Sequence, residues 1–311
     1  MDNRLLSEGF EGPRHRLIAI ALMAGAVVSF SLLDSTAKYL VTEGLPVAEV
    51  VWIRFTAHAI FTSLVLWPIA TSSPFRSKKP FHQLLRSLFM FGATAMNFFA
   101  LRFLQLDQTV TIFFLTPLIV AGLAGPILGE WVGWRRLVAI LIGFVGVLIV
   151  IRPGLGGIHW AASLTLAATF CLALYSIWTR YLAHYDPAEV TQFYSPVAGV
   201  VLAMPFAILG WETPQEPFTW LLLATLGLWG GGGHWLLILA HRRAQAPVLA
   251  PFIYVGLLSN TLIGYLVFGD IPTWWTLAGG AVVILSGLYL IWRERQTGKG
   301  EGGPAADIAS Q

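Results

Sequence analysis

Apolar residues along this chain fall into ten long blocks, each separated from the next by a short polar or turn-forming segment. Windows of about 19 residues place the blocks at Leu17 to Val41, Val47 to Pro68, Leu85 to Leu104, Thr109 to Leu128 and Trp134 to Ile151, then Trp160 to Leu182, Ala188 to Leu209, Phe218 to Leu239, Pro247 to Phe268 and Trp274 to Trp292. One helical crossing of a bilayer takes about 20 apolar residues, so the pattern predicts ten transmembrane helices. The separators Gly44-Leu45-Pro46, Arg152-Pro153-Gly154, Asp186-Pro187 and Gly269-Asp270-Ile271-Pro272 put Pro and Gly where they disfavour continued helix. Connections this short join helices that are neighbours in space. Pro117, Pro196 and Pro251 fall inside blocks and predict kinks whose freed carbonyls could line a cavity.

Composition narrows the class. Of 311 residues, 56% are hydrophobic and 11% charged, against roughly a quarter charged in a soluble domain. The fold class is therefore an all-α integral membrane protein, with little chain left for a soluble domain. The single cysteine, Cys171, excludes an intrachain disulfide framework and a cysteine metal cluster. The first block follows Arg14 and Arg16 and contains Ala24-Gly25-Ala26, which looks like a signal-peptidase site, but the apolar stretch runs on to Leu33 and beyond as a span does. No His-Glu-x-x-His pair, Gly-x-Ser-x-Gly elbow or phosphate-binding Gly-rich loop is present. No catalytic residue, cofactor or nucleic-acid partner is expected, and any transport is driven by a gradient or exchange. His58 and His234 lack the company of other ligands, so no metal site is expected.

The net charge of +3 matters less than its placement. With the N-terminus cytosolic, that side collects Arg4, Arg14, Arg16, Arg76, Lys78, Lys79, Arg86, Arg135, Arg136, Arg180, Arg242, Arg243, Arg293, Arg295 and Lys299, while the other side holds only Lys38, Arg102 and Arg152. This bias follows the positive-inside rule and puts both termini in the cytosol. Trp131, Trp134, Trp160, Trp211, Trp220, Trp274 and Trp292 stand near span ends, where indoles anchor at the headgroups. Residues 1–16 form an N-terminal tail, and the Gly-rich segment 296–311 reads as disordered.

Sliding the chain against itself by 140 residues aligns Ala100 with Ala240, Gln105 with Gln245, Leu118 with Leu258, Gly129-Glu130 with Gly269-Asp270, Trp134 with Trp274 and Leu148 with Leu288. Lys38-Tyr39-Leu40 meets Arg180-Tyr181-Leu182 at a shift of 142. Two five-span repeats, 17–152 and 160–293, are the result. Because five is odd, the second copy enters the membrane inverted, and two such bundles can rock around one central site.

Several polar residues sit where lipid would penalise them. Asp34 and Lys38 share a face of the first span, and Arg54 lies a similar distance into the second, so the three could meet about 10 Å below the outer surface. They form either a structural ion pair or a cluster that gates the path, contacts substrate or couples transport to protons through Asp34. Asn97, Tyr175, Tyr194, Trp229, Trp235, Tyr254 and Asn260 stand near mid-span as candidates for a pocket around a planar organic substrate. The two amides could equally join helices. Gly230 to Gly233 mark the eighth span as a place either of flexing or of close helix packing.

The stretch Thr116-Pro117-Leu118 to Leu128-Gly129-Glu130, followed by Gly143-Phe144-Val145-Gly146-Val147 and Arg152-Pro153, resembles the EamA repeat of the drug/metabolite transporter superfamily. The second half repeats it from Ala250-Pro251 through Gly269-Asp270 to Gly279-Gly280. Asp34-Ser35-Thr36-Ala37-Lys38-Tyr39-Leu40, Trp52-Ile53-Arg54-Phe55 and Ala250-Pro251-Phe252-Ile253-Tyr254 look like the branch with S-adenosylmethionine uptake carriers, with riboflavin permeases another possibility in the superfamily. The resemblance implies a permease of the bacterial inner membrane that moves a small organic metabolite by alternating access. Exporters, lipid flippases and a passive channel are the other readings.

Overall fold

A computed structural model describes residues 13–66, 76–128, 134–152, 159–182, 185–241, 243 and 249–300. Gly129, Glu130, Trp131, Pro153, Gly154, Arg242 and Pro247 lie outside the described residues, as do Arg4 and the last eleven residues of the expected tail.

Helix occupies all ten apolar blocks. The first three spans are α1 (Pro13–Thr42), α2 (Val47–Leu66) and α3 (Pro80–Ala100). The fourth is α4 (Leu106–Phe113) followed by α5 (Thr116–Leu128), and the fifth is α6 (Trp134–Ile151). The sixth is α7 (Ala162–Leu182), and the seventh is α8 (Ala188–Tyr194) followed by α9 (Val197–Leu209). The eighth runs from α10 (Pro217–Gly227) through a π-helical turn (Leu228–Gly232) into α11 (Gly233–His241). The ninth begins as a 3₁₀ turn (Ala250–Tyr254), continues as α12 (Val255–Ile263) and ends in a second π turn (Gly264–Phe268). The tenth is α13 (Trp274–Gly300).

Three of the interruptions coincide with Pro117, Pro196 and Pro251, whereas Pro126 and Pro205 lie within continuous helix. The α4/α5 break precedes Thr116-Pro117, the α8/α9 break falls at Ser195-Pro196, and Pro251 sits in the 3₁₀ turn. A proline has no N–H to continue the ladder and its ring crowds the preceding turn. α13 stays helical to Gly300, past the expected boundary at 296. Arg293, Glu294, Arg295 and Gln296 are good helix formers and extend the span past Trp292.

Packing follows the repeat. Span 3 lies along span 6, and span 8 lies along span 1; span 6 packs on span 4 as span 1 packs on span 9; span 2 meets span 8 as span 7 meets span 3. Spans 2 and 7, 4 and 9, and 5 and 10 pair with their own counterparts, as they must across a two-fold axis lying in the membrane. The chain is two inverted five-helix repeats. Large apolar side chains such as Leu64, Phe206, Leu209, Leu221, Leu258, Leu266 and Leu285 face outward. In water that surface would aggregate; in a bilayer it is the solvated face. Trp134, Trp160, Trp211, Trp220, Trp274 and Trp292 are exposed near span ends, at the depth where anchors belong.

Small residues decide how closely helices approach. At the crossing of α6 and α13, a Cβ on Gly146 would lie 2.9 Å from the Gly279 carbonyl oxygen, and one on Gly279 2.5 Å from that of Gly146. In the eighth span, a Cβ on Gly227 would come within 2.6 Å of the Ala57 carbonyl carbon in α2, which is backbone and cannot move aside. The glycine-rich segment is therefore a packing seam, and its π turn accommodates an extra residue within it. Gly227→Ala is expected to lower stability by about 1–3 kcal/mol through overpacking. Gly232→Ala, whose Cβ would meet nothing closer than 3.9 Å, should leave the midpoint of thermal unfolding in detergent unchanged or raise it.

Candidate functional site

The interior between the two repeats is polar, and its charges have come from one side. Asp34, Arg54, His58, Arg86 and Asn97 belong to spans 1 to 3; Tyr175, Thr179, Thr191, Gln192, Ser195 and His234 belong to spans 6 to 8. The first repeat supplies the ionised groups and the second supplies hydroxyls, an amide, aromatic rings and backbone carbonyls.

Arg86 is the best satisfied of these. Its Nε donates to Thr179 Oγ1 at 2.7 Å, Nη1 to the Thr191 carbonyl at 3.0 Å and to Ser195 Oγ at 3.1 Å, and Nη2 to Tyr175 Oη at 2.8 Å and Ser195 Oγ at 3.0 Å. The guanidinium also lies over the Tyr175 ring, 4.4 Å from its centroid. The proline break in span 7 makes this possible. Ser195 N–H bonds to the Gln192 carbonyl, and the Thr191 carbonyl accepts instead from the Ser195 hydroxyl at 2.9 Å and from the arginine. Ser87 fills the rest of the break, donating to the Ser195 carbonyl and accepting from Ala198 N–H, each at 2.8 Å. Arg86 thus corrects the sequence reading that put it with the cytosolic loop charges: it is only 2% exposed. Its position near the start of an apolar block fitted either reading, and the acceptors exposed at Pro196 decide it.

Toward the end of the bundle that carries the Gln83 end of α3, the polar file continues. Gln83 Nε2 donates to Thr191 Oγ1 and to Asp186 Oδ2. Asp186 also accepts from Ser77 Oγ at 2.5 Å and from the Lys78 N–H at 2.8 Å. Burial pushes this carboxyl up, but the hydrogen bonds from Ser77, Gln83 and Lys78, with the Lys78 charge, outweigh it and hold it below the usual carboxylate range.

Arg54 is different. It is 3% exposed, its guanidinium rests 4.1 Å from the centroid of its neighbour Phe55, and its Nε and Nη1 have no partner among the described residues. Gly230 opposite it leaves room: a Cβ there would stand 3.7 Å from Arg54 Nε. Asp34 lies within electrostatic reach of Arg54 and accepts from Asn97 Nδ2 at 3.2 Å through Oδ1, leaving Asn97 Oδ1 buried and open. One turn beyond Arg54, the Gln192 amide donates to His58 Nε2 at 2.9 Å, and His58 Nδ1 is open. His58 stacks on His234 at 5.7 Å, and His234 also meets the edges of Phe30 and Tyr175.

The other expected residues are dispersed. Lys38 does not join Asp34 and Arg54. It pairs with Asp270 at 2.5 Å and lies over Phe268, tying span 1 to the end of span 9. Buried Asp107, in the first turn of α4, stands within electrostatic reach of that pair. Asn260 donates to Ser31 Oγ and the Gly256 carbonyl, both at 2.8 Å, and so joins span 9 to span 1. Tyr254 packs against Phe114 and the backbone at Gly287, away from Arg54. Tyr194 lies beside Phe193, and Trp229 packs on the apolar core around Phe55 and Leu226. Of the pocket candidates, Asn97 and Tyr175 come to the charged interior. Arg86, Gln192 and the stacked histidines carried no local sequence signal beyond being polar within apolar blocks.

The EamA-like transporter family matches this chain twice, at residues 17–152 and 159–293. An S-adenosylmethionine uptake transporter of Rickettsia bellii is 28% identical over 282 residues, covering 90% of this chain and 95% of that protein. A riboflavin transporter of Vibrio cholerae is 27% identical over 290 residues, covering 91% and 96%. A solved crystal structure superposes with a TM-score of 0.64 at 18% identity, over 90% of this chain and 98% of its own; it shares the fold.

The contrast between the two arginines is testable. Arg86→Gln removes five hydrogen bonds to four partners and is expected to lower stability by about 3 kcal/mol, seen as a lower unfolding midpoint and poor recovery of monodisperse protein. The Asp186 clamp should survive acidification. A carboxyl held below its unfolded value stabilises the fold fully above about pH 4 and loses that contribution only as pH falls through the lower folded value. The unfolding midpoint of the native protein relative to Asp186→Asn should therefore be constant from pH 8 to pH 5.

Proposed function

The chain belongs to the EamA-like transporter family, and on that premise we propose that it carries a small organic metabolite across the bacterial inner membrane by alternating access, with both termini in the cytosol. The observation that supports this most is the set of buried, unpartnered polar atoms on Arg54, His58 and Asn97, gathered where the two inverted repeats face each other. A purely structural interior would be expected to satisfy them, because an open donor or acceptor out of water is costly. A solute with its own polar groups would complete them while bound.

In this reading Asp34, Arg54, Asn97 and Tyr175 meet the substrate, and the stacked His58 and His234 with Phe30 offer flat walls. Trp229, Tyr194, Tyr254 and Asn260 support the surrounding helices. The Lys38–Asp270 pair closes one end of the bundle and separates when that end opens. At the opposite end, the bonds of Asp186 to Ser77, Lys78 and Gln83 tie span 3 to the connection between spans 6 and 7. The substrate is S-adenosylmethionine-like or riboflavin-like, as the names of the relatives suggest.

Purified protein in liposomes should take up labelled S-adenosylmethionine or riboflavin with saturation. The unlabelled form of the same compound should suppress uptake, and unlabelled substrate inside should accelerate it by exchange. Flux of both labels that stays linear with concentration and shows no exchange would indicate a channel. Absence of uptake with either label would remove both substrate readings.

A further inference from the structure

Two guanidiniums and one central carboxylate face the same interior, and they are not equivalent. Arg86 is fully engaged with neutral oxygens from spans 6 and 7. Arg54 is as deeply buried, yet two of its nitrogens face no acceptor, and the residue across from it is a glycine. A cation held this way is waiting for an anion. Among soluble metabolites, the group that suits a guanidinium in a confined, dry site is a carboxylate or a phosphate. Asp34 selects between them. Its carboxylate lies within electrostatic reach of Arg54 without forming an ion pair with it and is held by the long Asn97 bond alone. A dianionic phosphate beside it would be repelled, whereas a ligand with one carboxylate and one adjacent cationic group would satisfy both side chains.

We propose that Arg54 and Asp34 form a zwitterion clamp, so that the transported solutes carry an α-amino-acid head group: the carboxylate accepts from Arg54 Nε and Nη1, and the ammonium donates to Asp34. This rests on the transporter reading and chooses within it. An S-adenosylmethionine-like solute has such a head, and a flavin with its polyhydroxyl chain has none. The open Nδ1 of His58 stands one helical turn along α2 from Arg54, with the rings of His234, Phe30 and Tyr175 gathered around it, where the remainder of the solute would sit. Asp34 and Arg54 are thus specificity-determining residues, and Arg86 positions the spans around them.

The test measures competition against labelled S-adenosylmethionine, and ligand-induced stabilisation of the purified full-length protein, for four probes: S-adenosylmethionine, its decarboxylated analogue, methionine and riboflavin. In the native protein, removing the carboxylate should weaken competition and stabilisation by tenfold or more, and riboflavin should do neither. Arg54→Gln should fold with an unchanged elution profile and bind S-adenosylmethionine and its decarboxylated analogue equally weakly; Arg54→Lys should recover part of the preference. Equal action of the two adenosyl compounds on the native protein, or a carboxylate preference undiminished in Arg54→Gln, would overturn the clamp. Saturable riboflavin uptake unaffected by the amino-acid probes would overturn it while leaving the carrier reading intact. Arg54-dependent binding of carboxylate ligands without any flux would uphold the clamp and refute the carrier reading.

Discussion

A charge inside a bilayer has to find its partners within the protein, because hydrocarbon offers none. This constraint organises the molecule. It turns the apolar faces outward, brings Arg86 onto one carbonyl and three hydroxyls of spans 6 and 7, and makes Lys38 seek Asp270 across 232 residues of sequence. Part of that demand is left unmet at Asp107 in the first turn of α4 and where the two repeats face each other. Arg54, His58 and Asn97 keep open polar atoms there, within a scaffold that satisfies Arg86 a short distance away.

The scaffold is symmetric and its chemistry is not. Helix pairings repeat about the two-fold axis, but the residue matching Arg54 at a shift of 141 is Ser195, and the residue matching Asp34 at 142 is Ser176. Duplication supplied two bundles which, in the proposed mechanism, rock against each other. Divergence then placed the charged groups of the central interior, Asp34, Arg54 and Arg86, on the first and neutral partners on the second. A substrate bound between them can gather contacts from both, so its binding energy depends on how the bundles are arranged, which is the condition for coupling binding to a conformational change.

Hydropathy and the positions of Pro and Gly made the ten spans legible, because lipid leaves a one-dimensional signature in sequence. Pro117, Pro196 and Pro251 predicted three of the breaks, and the one at Pro196 accompanies the burial of Arg86. Pairings were legible only when local. The four-residue spacing of Asp34 and Lys38 suggested a shared cluster, but Lys38 is taken by Asp270, which only the fold brings near. Asn260 looked like a pocket residue because an amide in lipid needs a partner; the partner is Ser31, 229 residues away. Gly230 to Gly233 admitted flexing or packing, and the close approach of neighbouring Gly227 to the Ala57 backbone identifies packing.

The central claim is that the interior beside Arg54 opens to each side of the membrane in turn. The most direct measurement uses Gly230→Cys in a background where Cys171, the sole cysteine, is replaced by Ala. A Cβ at 230 meets nothing closer than 3.7 Å, so a thiol fits beside the guanidinium. With the protein inserted in one orientation, a membrane-impermeant thiol reagent should label this cysteine from either side, and substrate should slow labelling from both. Labelling from one side only under every gradient and ligand condition, or from neither, would contradict the account.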